Sequence, residues 1–376
     1  MAGPVVVIGG GLIGLSAAVH LRRADPRVPV TVLERARVGD AASGASAAGV
    51  RAMGRDPAER ALALASLARW PELDRELEAK TGYRRGGGLR VALDDKAWDA
   101  AAGWAAEQCH DGVPLEIVNA ESTRRLAPDV APACLGGVYS PIDGQADAMA
   151  TVEAFATAAR RLGARIEESV GVTAPLAEGG RVVGVERSDG TRQSCDVLIV
   201  TAGAWTAPLL ASLGVKLPLD TRPLQMLLTE PAPGALAPVL GCFDRKVSFK
   251  QLTDGAYLIG GGWPGQVVDH EENRWAVLDE SVRGSLEVAR EVYPPVAHCP
   301  LARSWIGLEA FMPDELPVIG PVPGADGLLV AAGFSGHGFA LSPMIGDVLA
   351  RLALGRDALR SLWRDLRFDR PALAGS

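Results

Sequence analysis

Residues 4–14 read PVVVIGGGLIG, a short apolar run followed by closely spaced glycines. An unbroken apolar run such as residues 5–8 is typical of a parallel strand that is buried on both faces. The next six residues have the form GxGxxG, and apolar side chains then recur every three to four positions, as they do in a helix. The stretch therefore predicts a strand, a tight turn and a helix in immediate succession.

The three glycines and one acidic residue have separate functions in a dinucleotide site. Gly9 permits the tight turn, Gly11 lets the backbone approach a pyrophosphate, and Gly14 lets the helix pack closely on the strand. A second predicted strand, residues 30–33, ends at Glu34, where a carboxylate accepts hydrogen bonds from a ribose and repels a 2′-phosphate. The pattern predicts a dinucleotide-binding site, and both FAD and NAD remain open at this point.

Length and charge narrow the class of protein. A chain of 376 residues predicts about two domains, and its 48% hydrophobic residues suffice for a large core. The net charge of -7 argues against nucleic acid or an anionic membrane as the main partner, because both need a basic face. The cysteines lack CxxC or metal-ligand spacing, which favours reduced thiols in a cytoplasmic protein and no metal site. They are Cys109, Cys134, Cys195, Cys242 and Cys299.

Two stretches have the length and apolar character of membrane spans. Residues 1–20 and 327–346 contain no Asp, Glu, Lys or Arg. Glycines interrupt both, and the first has neither a basic leader nor a convincing cleavage site. We therefore expect buried strand–turn–helix units, no membrane span and no targeting signal.

The second of these stretches contains another glycine-rich loop. Residues 327–332 predict a strand, and GFSGHGF at residues 333–339 predicts a loop. Ser342 is a favourable N-cap, Pro343 suits the first helical position and Gly355 is a favourable helix stop. These residues predict a helix that begins at Ser342.

Taken together, these segments resemble the D-amino-acid-oxidase-type flavoenzymes, nearest to the sarcosine oxidase, glycine oxidase and amino-acid dehydrogenase branch. The resemblance runs from residue 5 to about residue 355, and AGFSGHGF between a strand and a helix is its most specific part. It rests on residues 5–35, 44–51, 196–205, 303–321 (RSWIGLEAFMPDELPVIGP) and 328–346 (LLVAAGFSGHGFALSPMIG). The resemblance implies FAD, because a loop and helix near the carboxy terminus suit the negative charge of a reduced flavin.

The resemblance also implies a set of cofactor-binding residues along an extended FAD. Ile13 and Gly14 would lie by the pyrophosphate, Glu34 and Arg35 by the adenosine, and Val172 by the adenine. Ser43, Ser46, Ala47 and Ala48 would follow the phosphates and the flavin, and Gly203 and Trp205 would lie near the ribose. Gly307, Leu308, Gly336, His337, Gly338 and Phe339 would surround the isoalloxazine.

Two positions depart from the pattern of the monomeric sarcosine oxidases. Those enzymes attach their flavin to a cysteine where this chain has Gly307, which predicts non-covalent FAD. They also hold the substrate carboxylate with a lysine where this chain has Ala340, which argues against sarcosine as the substrate.

The predicted fold class is α/β, with a Rossmann-like FAD-binding domain and a β-rich α+β substrate domain, both discontinuous in sequence. The FAD-binding domain is predicted to comprise residues 1–85, 146–215 and 300–376. Residues 86–145 and 216–299 are predicted to form the substrate domain.

Three side chains are candidates for catalytic or substrate-binding roles. Arg51 follows a small-residue segment, and its guanidinium suits a carboxylate or the flavin, although a surface arginine is the alternative. Lys250 would supply a second positive charge or lie at the surface. His337, between two glycines, would contact cofactor or substrate, and an acid–base role stays open. Met53, Tyr257, Trp263 and Glu309 are pocket or core candidates, and a carboxylate at Glu309 would suit a cationic substrate.

The predicted reaction is the oxidation of a small amine or amino acid by hydride transfer from the C–N carbon to flavin N5. The resulting imine would be hydrolysed, and oxygen or an electron carrier would reoxidise the flavin. The alternatives are oxidation of a 2-hydroxy acid and a flavin-binding subunit of a heteromeric dehydrogenase. Homo- or hetero-oligomerisation remains open.

Overall fold

The computed structural model describes residues 3–269, 274–357 and 359–373; the remaining positions of the predicted domains lie outside the described residues. The strands are Val5–Ile8 (β1), Val30–Leu33 (β2), Gly49–Val50 (β3), Gly88–Ala92 (β4), Glu116–Asn119 (β5), Gly136–Ser140 (β6), Gly144–Gln145 (β7), Arg165–Glu167 (β8), Val172–Glu178 (β9), Arg181–Arg187 (β10), Arg192–Ser194 (β11), Val197–Val200 (β12), Asp220–Thr229 (β13), Val239–Cys242 (β14), Ser248–Gln251 (β15), Tyr257–Gly260 (β16), Gln266–Asp269 (β17), Arg274–Ala276 (β18), Leu301–Phe311 (β19), Val318–Pro321 (β20) and Leu328–Ala332 (β21).

Eleven α-helices lie between or after these strands in the described residues. They are Leu12–Ala24 (α1), Ala42–Ala45 (α2), Pro57–Leu67 (α3), Leu73–Leu77 (α4), Asp95–His110 (α5), Ala120–Leu126 (α6), Ala148–Arg161 (α7), Thr206–Ala211 (α8), Asp279–Val292 (α9), Gly338–Ala353 (α10) and Arg360–Trp363 (α11).

The first sheet has the order β20-β21-β12-β1-β2-β8, with β1 between two parallel neighbours. Side chains of β1 alternate between two cores, as period-two geometry requires. Val5 and Val7 pack with helices α1, α7 and α10, whereas Val6 and Ile8 pack in the core on the opposite side. The strand is therefore buried on both faces, which confirms the prediction for residues 5–8.

Helix α1 approaches β1 so closely that its third residue has to be glycine. A Cβ atom at Gly14 would overlap the carbonyl oxygen of Gly9 and would lie 2.6 Å from the hydroxyl oxygen of Thr201. Gly9 itself has φ +106°, a conformation that residues with a side chain rarely adopt. The roles predicted for Gly9 in the tight turn and for Gly14 in close packing therefore agree with the backbone geometry.

Helix α10 begins at Gly338, so the prediction that it begins at Ser342 is wrong. Pro343 lies inside the helix and has no N–H to donate to the carbonyl oxygen of Phe339. The hydroxyl of Ser342 donates to that oxygen instead, at 2.9 Å. Ser66 and Trp70 donate to the neighbouring Ala340 carbonyl oxygen at 2.8 and 2.9 Å, so side chains of α3 and the turn after it hold the first turn of α10.

The second large sheet has the order β19-β13-β16-β15-β14-β4-β6-β5 and is mainly antiparallel. Its core packs against helix α9. Long strand β19 lies at one edge of this sheet, paired along its length with β13. The mixed α/β architecture confirms the predicted fold class, whereas the domain boundaries stay a prediction.

We expect Gly14→Ala to lower the free energy of unfolding by about 1–3 kcal/mol, because the added methyl forces helix and strand apart. The measurement is urea-induced unfolding of both proteins under identical conditions. Gly103→Ala is the control, because a Cβ atom at Gly103 in helix α5 meets nothing within 4 Å. A Gly14→Ala protein as stable as wild type would contradict the close approach of α1 to β1.

Candidate cofactor and active site

Glu34 joins the glycine-rich loop to the end of strand β2. Its two carboxylate oxygens accept hydrogen bonds from the backbone N–H groups of Gly10 at 2.7 Å and Ala36 at 2.8 Å. Burial raises the pKa of Glu34, and these two donors oppose that shift. Each carboxylate oxygen has a further lone pair, so the group can also accept from a ribose hydroxyl.

Ser43 fixes the amino terminus of α1. Its hydroxyl oxygen accepts a hydrogen bond from the N–H of Leu12, the first residue of the helix, at 2.9 Å. The residues around Ser43 form the short helix α2, so the small-residue segment is ordered against the dinucleotide loop. This long-range cap leaves other N–H groups of the first turn for an anion.

A cavity of about 540 Å³, here called the outer cavity, lies beyond the ends of β1 and β2. Its wall includes a stacked pair, with the guanidinium carbon of Arg35 lying 4.0 Å from the centroid of the Trp205 ring. Predicted cofactor residues lining it are Gly9, Gly11, Glu34, Arg35, Ser43, Val172, Gly203, Trp205 and Leu308.

The outer cavity continues into a neck of about 100 Å³. The amino termini of α1 and α10 meet there, so the positive ends of two helix dipoles converge. Predicted cofactor residues lining the neck are Gly11, Ile13, Ser43, Ser46, Gly203, Leu308, Gly336, Gly338 and Phe339.

The neck opens into an inner chamber of about 130 Å³. Predicted residues lining this chamber are Ser46, Ala47, Arg51, Lys250, Gly307, Glu309, Gly336 and Phe339. Because Ser46, Glu309, Gly336 and Phe339 line both spaces, outer cavity, neck and chamber form one continuous cleft.

Arg51, which is half-buried, and Lys250, which is buried, bring positive charge to the inner chamber. The Lys250 ammonium is buried and donates to the carbonyl oxygen of Ala146 at 2.7 Å. Burial lowers the pKa of Lys250 to about 7. Burial also lowers the pKa of Arg51, with Asp143 opposing the shift. Neither side chain forms an ion pair with a carboxylate of the described residues, so both can receive an anionic group.

His337 lies on the cleft loop, but its imidazole is held outside the chamber. Its Nδ1 atom lies 2.9 Å from an oxygen of the fully buried Glu59. Both residues line a separate side pocket of about 330 Å³. Burial lowers the pKa of His337, and nearby Arg55 adds to the shift while Glu59 opposes it. The imidazole therefore faces an internal partner, and a direct catalytic role is not supported by this placement.

The other candidates lie behind the cleft. Ala48 is buried with φ 51°, and its N–H donates to the Ser46 hydroxyl at 2.9 Å. Met53 and Tyr257 are packed in cores, and the Trp263 indole donates to the Lys246 carbonyl oxygen at 2.9 Å. None of these side chains is among those that line the inner chamber in the described residues.

Sequence reasoning missed Gln225, Arg55 and Asp143. Gln225 lines the inner chamber and is buried, yet neither polar atom of its side-chain amide has a hydrogen-bond partner among the described residues. A buried amide in this state fits a site whose partner is a bound molecule. The sequence did contain a sign of this role, because the polar Gln225 interrupts a run of apolar residues in strand β13.

Asp143 acts on the site from behind. Its carboxylate accepts a hydrogen bond from the N–H of Ala52 at 2.8 Å and so holds the segment that carries Arg51.

The residues of the cleft fit an extended dinucleotide with a flavin at its inner end. Cβ atoms at Gly203 and Gly336 would meet nothing within 4 Å, so both glycines border open space. The orphaned amide of Gln225 and the two helix amino termini supply polar groups suited to a heterocycle and to phosphates. The fold and this site together define a dinucleotide-binding flavoprotein.

Comparison with known proteins identifies the family. Residues 4–352 match the model of the family described as FAD dependent oxidoreductase, so the chain belongs to this family of enzymes. It is 30% identical to hydrogen cyanide synthase subunit HcnC of Pseudomonas aeruginosa, across 93% of this chain and 91% of that protein. It is 29% identical to glycine oxidase of Pseudomonas putida, across 96% of each chain. The crystal structure of L-proline dehydrogenase from P. horikoshii has a TM-score of 0.88 at 25% identity, with 96% of each chain covered.

These comparisons confirm the predicted resemblance, the FAD cofactor and the assignment as an FAD-dependent oxidoreductase. Among the described residues, no helix combines the length and apolar character needed to cross a membrane.

Gly11→Val tests whether the backbone of the first loop borders the cofactor. A Cβ atom at Gly11 would meet only the Ser43 hydroxyl, at 3.2 Å, and the backbone φ of -73° suits any residue. We therefore expect a folded protein that has lost most of its FAD, because the methyl groups occupy the junction of outer cavity and neck. The measurement is the ratio of flavin to protein absorbance after purification. A folded Gly11→Val protein with normal FAD content would contradict this placement.

Non-covalent attachment is expected because Gly307 offers no nucleophile, and no cysteine lines the cleft within the described residues. Denaturation should release all of the FAD into the filtrate, where its fluorescence quantifies it. Yellow colour that stays with the denatured chain would refute non-covalent binding.

Proposed function

We propose that this protein uses FAD to oxidise a small amine or amino acid at its C–N bond. When bound, the flavin would supply the acceptor for the hydride that leaves the substrate carbon once the nitrogen has lost its proton, and water would hydrolyse the resulting imine. Oxygen or an electron carrier then takes the electrons. The observation that carries the proposal is the continuous cleft ending in a chamber lined by Arg51 and Lys250, neither of which forms an ion pair with a carboxylate of the described residues.

The residues have distinct proposed roles along the cleft. In the outer cavity, Glu34 accepts from the ribose, and Val172, Gly203 and Trp205 border the adenosine end. In the neck, the amino termini of α1 and α10 stabilise the pyrophosphate and the negative charge of the reduced cofactor. In the inner chamber, Arg51 and Lys250 bind a substrate carboxylate and so orient the carbon to be oxidised.

His337 has an indirect proposed role. Its bond to Glu59 orients the loop of Gly336 and Gly338, which borders the neck and the chamber. We assign it to positioning this loop rather than to proton transfer with the substrate.

The names of two relatives support an amino-acid substrate, since glycine oxidase and L-proline dehydrogenase are named for oxidising amino acids. A second candidate, a flavin-binding subunit of a larger enzyme, is favoured by the similarity to a hydrogen cyanide synthase subunit. The discriminating experiment is turnover by the purified chain alone, combined with its mass in solution. A protein that binds FAD but turns over only with a partner chain would favour the second candidate.

The proposed function is tested by anaerobic flavin bleaching with parallel sets of amines, amino acids and 2-hydroxy acids. We expect bleaching by at least one amine or amino acid and weaker or no bleaching by the corresponding hydroxy acid. Bleaching by hydroxy acids alone would identify the 2-hydroxy-acid oxidase alternative.

Arg51→Met and Lys250→Met should affect carboxylate binding differently with pH. Arg51→Met should weaken binding at every pH, by about 2–5 kcal/mol, because truncation leaves the bound anion without its partner. Lys250 is cationic below its pKa of about 7 and neutral above it, so carboxylate affinity should fall as pH rises through that value. Lys250→Met should remove the fall in carboxylate affinity that comes from deprotonation of Lys250. The effect of Glu309, whose pKa is also raised to about 7, should remain in this variant.

The measurement is perturbation of the flavin spectrum by benzoate and acetate between pH 6 and 9, a window of about one to two units around that pKa. Exposed Lys246 provides the matched control Lys246→Met, for which wild-type behaviour is expected. An unchanged pH profile in Lys250→Met would place the ammonium outside the substrate site.

A further inference from the structure

The inner chamber has an unequal distribution of charge. Its charged lining residues are three cations, Arg51, Arg55 and Lys250, and one acid, Glu309. Glu309 lies on strand β19, two residues after Gly307, and borders both the neck and the chamber. Glu309 therefore lies where the inner chamber joins the neck.

Glu309 has no cationic partner within the described residues, although three cations line the same space. Lys250 donates to the Ala146 carbonyl oxygen at 2.7 Å, and Arg55 donates to the Arg51 carbonyl oxygen at 3.2 Å. The backbone N–H of Gly336 is instead the group that favours the ionised form of the Glu309 carboxyl. A half-buried carboxylate in a chamber lined by three cations is ordinarily paired with one of them, so the missing ion pair points to a ligand.

The surroundings of Glu309 also change the pKa of its carboxyl group. Desolvation raises the pKa of Glu309 to about 7, with the Gly336 N–H opposing the shift. A cation bound beside it would favour the ionised form and lower that pKa. The group can therefore change from a partly protonated acid to a full carboxylate when a cationic ligand enters.

Resting on the proposed function, we infer that Glu309 determines substrate specificity by binding the protonated nitrogen of the substrate. An amino acid carries a carboxylate and an ammonium group close together. Arg51 and Lys250 line the chamber as partners for the carboxylate, and Glu309 lines it as a partner for the ammonium group. A 2-hydroxy acid or an ether acid offers oxygen in place of the cationic nitrogen. The hydroxyl of a 2-hydroxy acid can donate only a neutral hydrogen bond to Glu309, and an ether oxygen cannot donate to the ionised carboxylate at all. Neither therefore replaces the charge-assisted hydrogen bond of an ammonium group.

The test compares matched nitrogen and oxygen ligands on the FAD-loaded protein. The pairs are glycine with glycolate, sarcosine with methoxyacetate, and each enantiomer of proline with tetrahydrofuran-2-carboxylate. Dissociation constants come from perturbation of the flavin spectrum or, where the ligand reduces the flavin, from the half-saturating concentration for reduction. The variants are Glu309→Gln, Glu309→Asp and the control Glu230→Gln, which alters an exposed acid at the end of strand β13.

We expect wild type to prefer the nitrogen member of at least one pair, and Glu309→Gln to lose at least about 30-fold of that preference. Glu309→Gln should bind the oxygen member as well as or better than wild type, because a repelling charge has been removed. Glu309→Asp should restore part of the preference, and Glu230→Gln should behave as wild type. Normal FAD content in each variant shows that the fold is retained.

Equal affinity for both members of every pair in wild type, or an undiminished preference in Glu309→Gln, would overturn the inference. Flavin reduction by the amines is scored separately in wild type. An amine that binds selectively through Glu309 without reducing the flavin would contradict the proposed function alone. An amine that reduces the flavin equally well in wild type and Glu309→Gln would contradict the role of Glu309 alone.

Discussion

The close approach of helix α1 to strand β1 is the constraint on which the cleft depends. Gly14 permits this approach, since any side chain there would overlap the Gly9 carbonyl oxygen. The contact places the amino terminus of α1 at the carboxyl end of the parallel strands. Ser43 then caps that terminus from a segment 31 residues further along the chain. The absence of a side chain at Gly14 thus determines where the N–H groups at the start of α1 meet the small-residue segment around Ser43.

The amino terminus of helix α10 also lies at the neck of the cleft. Helix α10 begins directly after the loop of Gly336 and His337, and it tolerates Pro343 because Ser342 donates to the carbonyl oxygen left without an N–H partner. The Ser66 and Trp70 side chains bond to the next carbonyl oxygen and tie α10 to the α3 region. The two converging helix dipoles create a region that favours negative charge, as the phosphates and reduced flavin require.

The charges of the inner chamber are arranged for a ligand rather than for each other. Lys250 and Arg51 form no ion pair with a carboxylate of the described residues, and Glu309 forms none with either of them. Burial moves the pKa values of both Lys250 and Glu309 to about 7, so their charges respond to what binds beside them. By contrast, one carboxylate oxygen of Glu59 lies 2.9 Å from His337 Nδ1 beside the side pocket, which is why the histidine is better suited to holding the loop.

Local sequence patterns determined the first strand, the glycine turn, helix α1 and Glu34, because these features depend on residues close together in the chain. The residues expected along an FAD lie mostly along one cleft, although their contacts with the cofactor stay a proposal. Sequence alone misplaced the start of α10, because Ser342 bonds the Phe339 carbonyl oxygen within the helix instead of capping it. The first turn is also held by Ser66 and Trp70, which are 274 and 270 positions from the Ala340 that they bond. It also left open whether His337 is a catalytic acid or base, because the partner Glu59 is 278 positions away in the chain. It missed Gln225, whose buried side-chain amide has no hydrogen-bond partner among the described residues. Only the tertiary structure decided which charges are paired and which are free for a ligand, because pairing depends on distances between segments that no local pattern encodes.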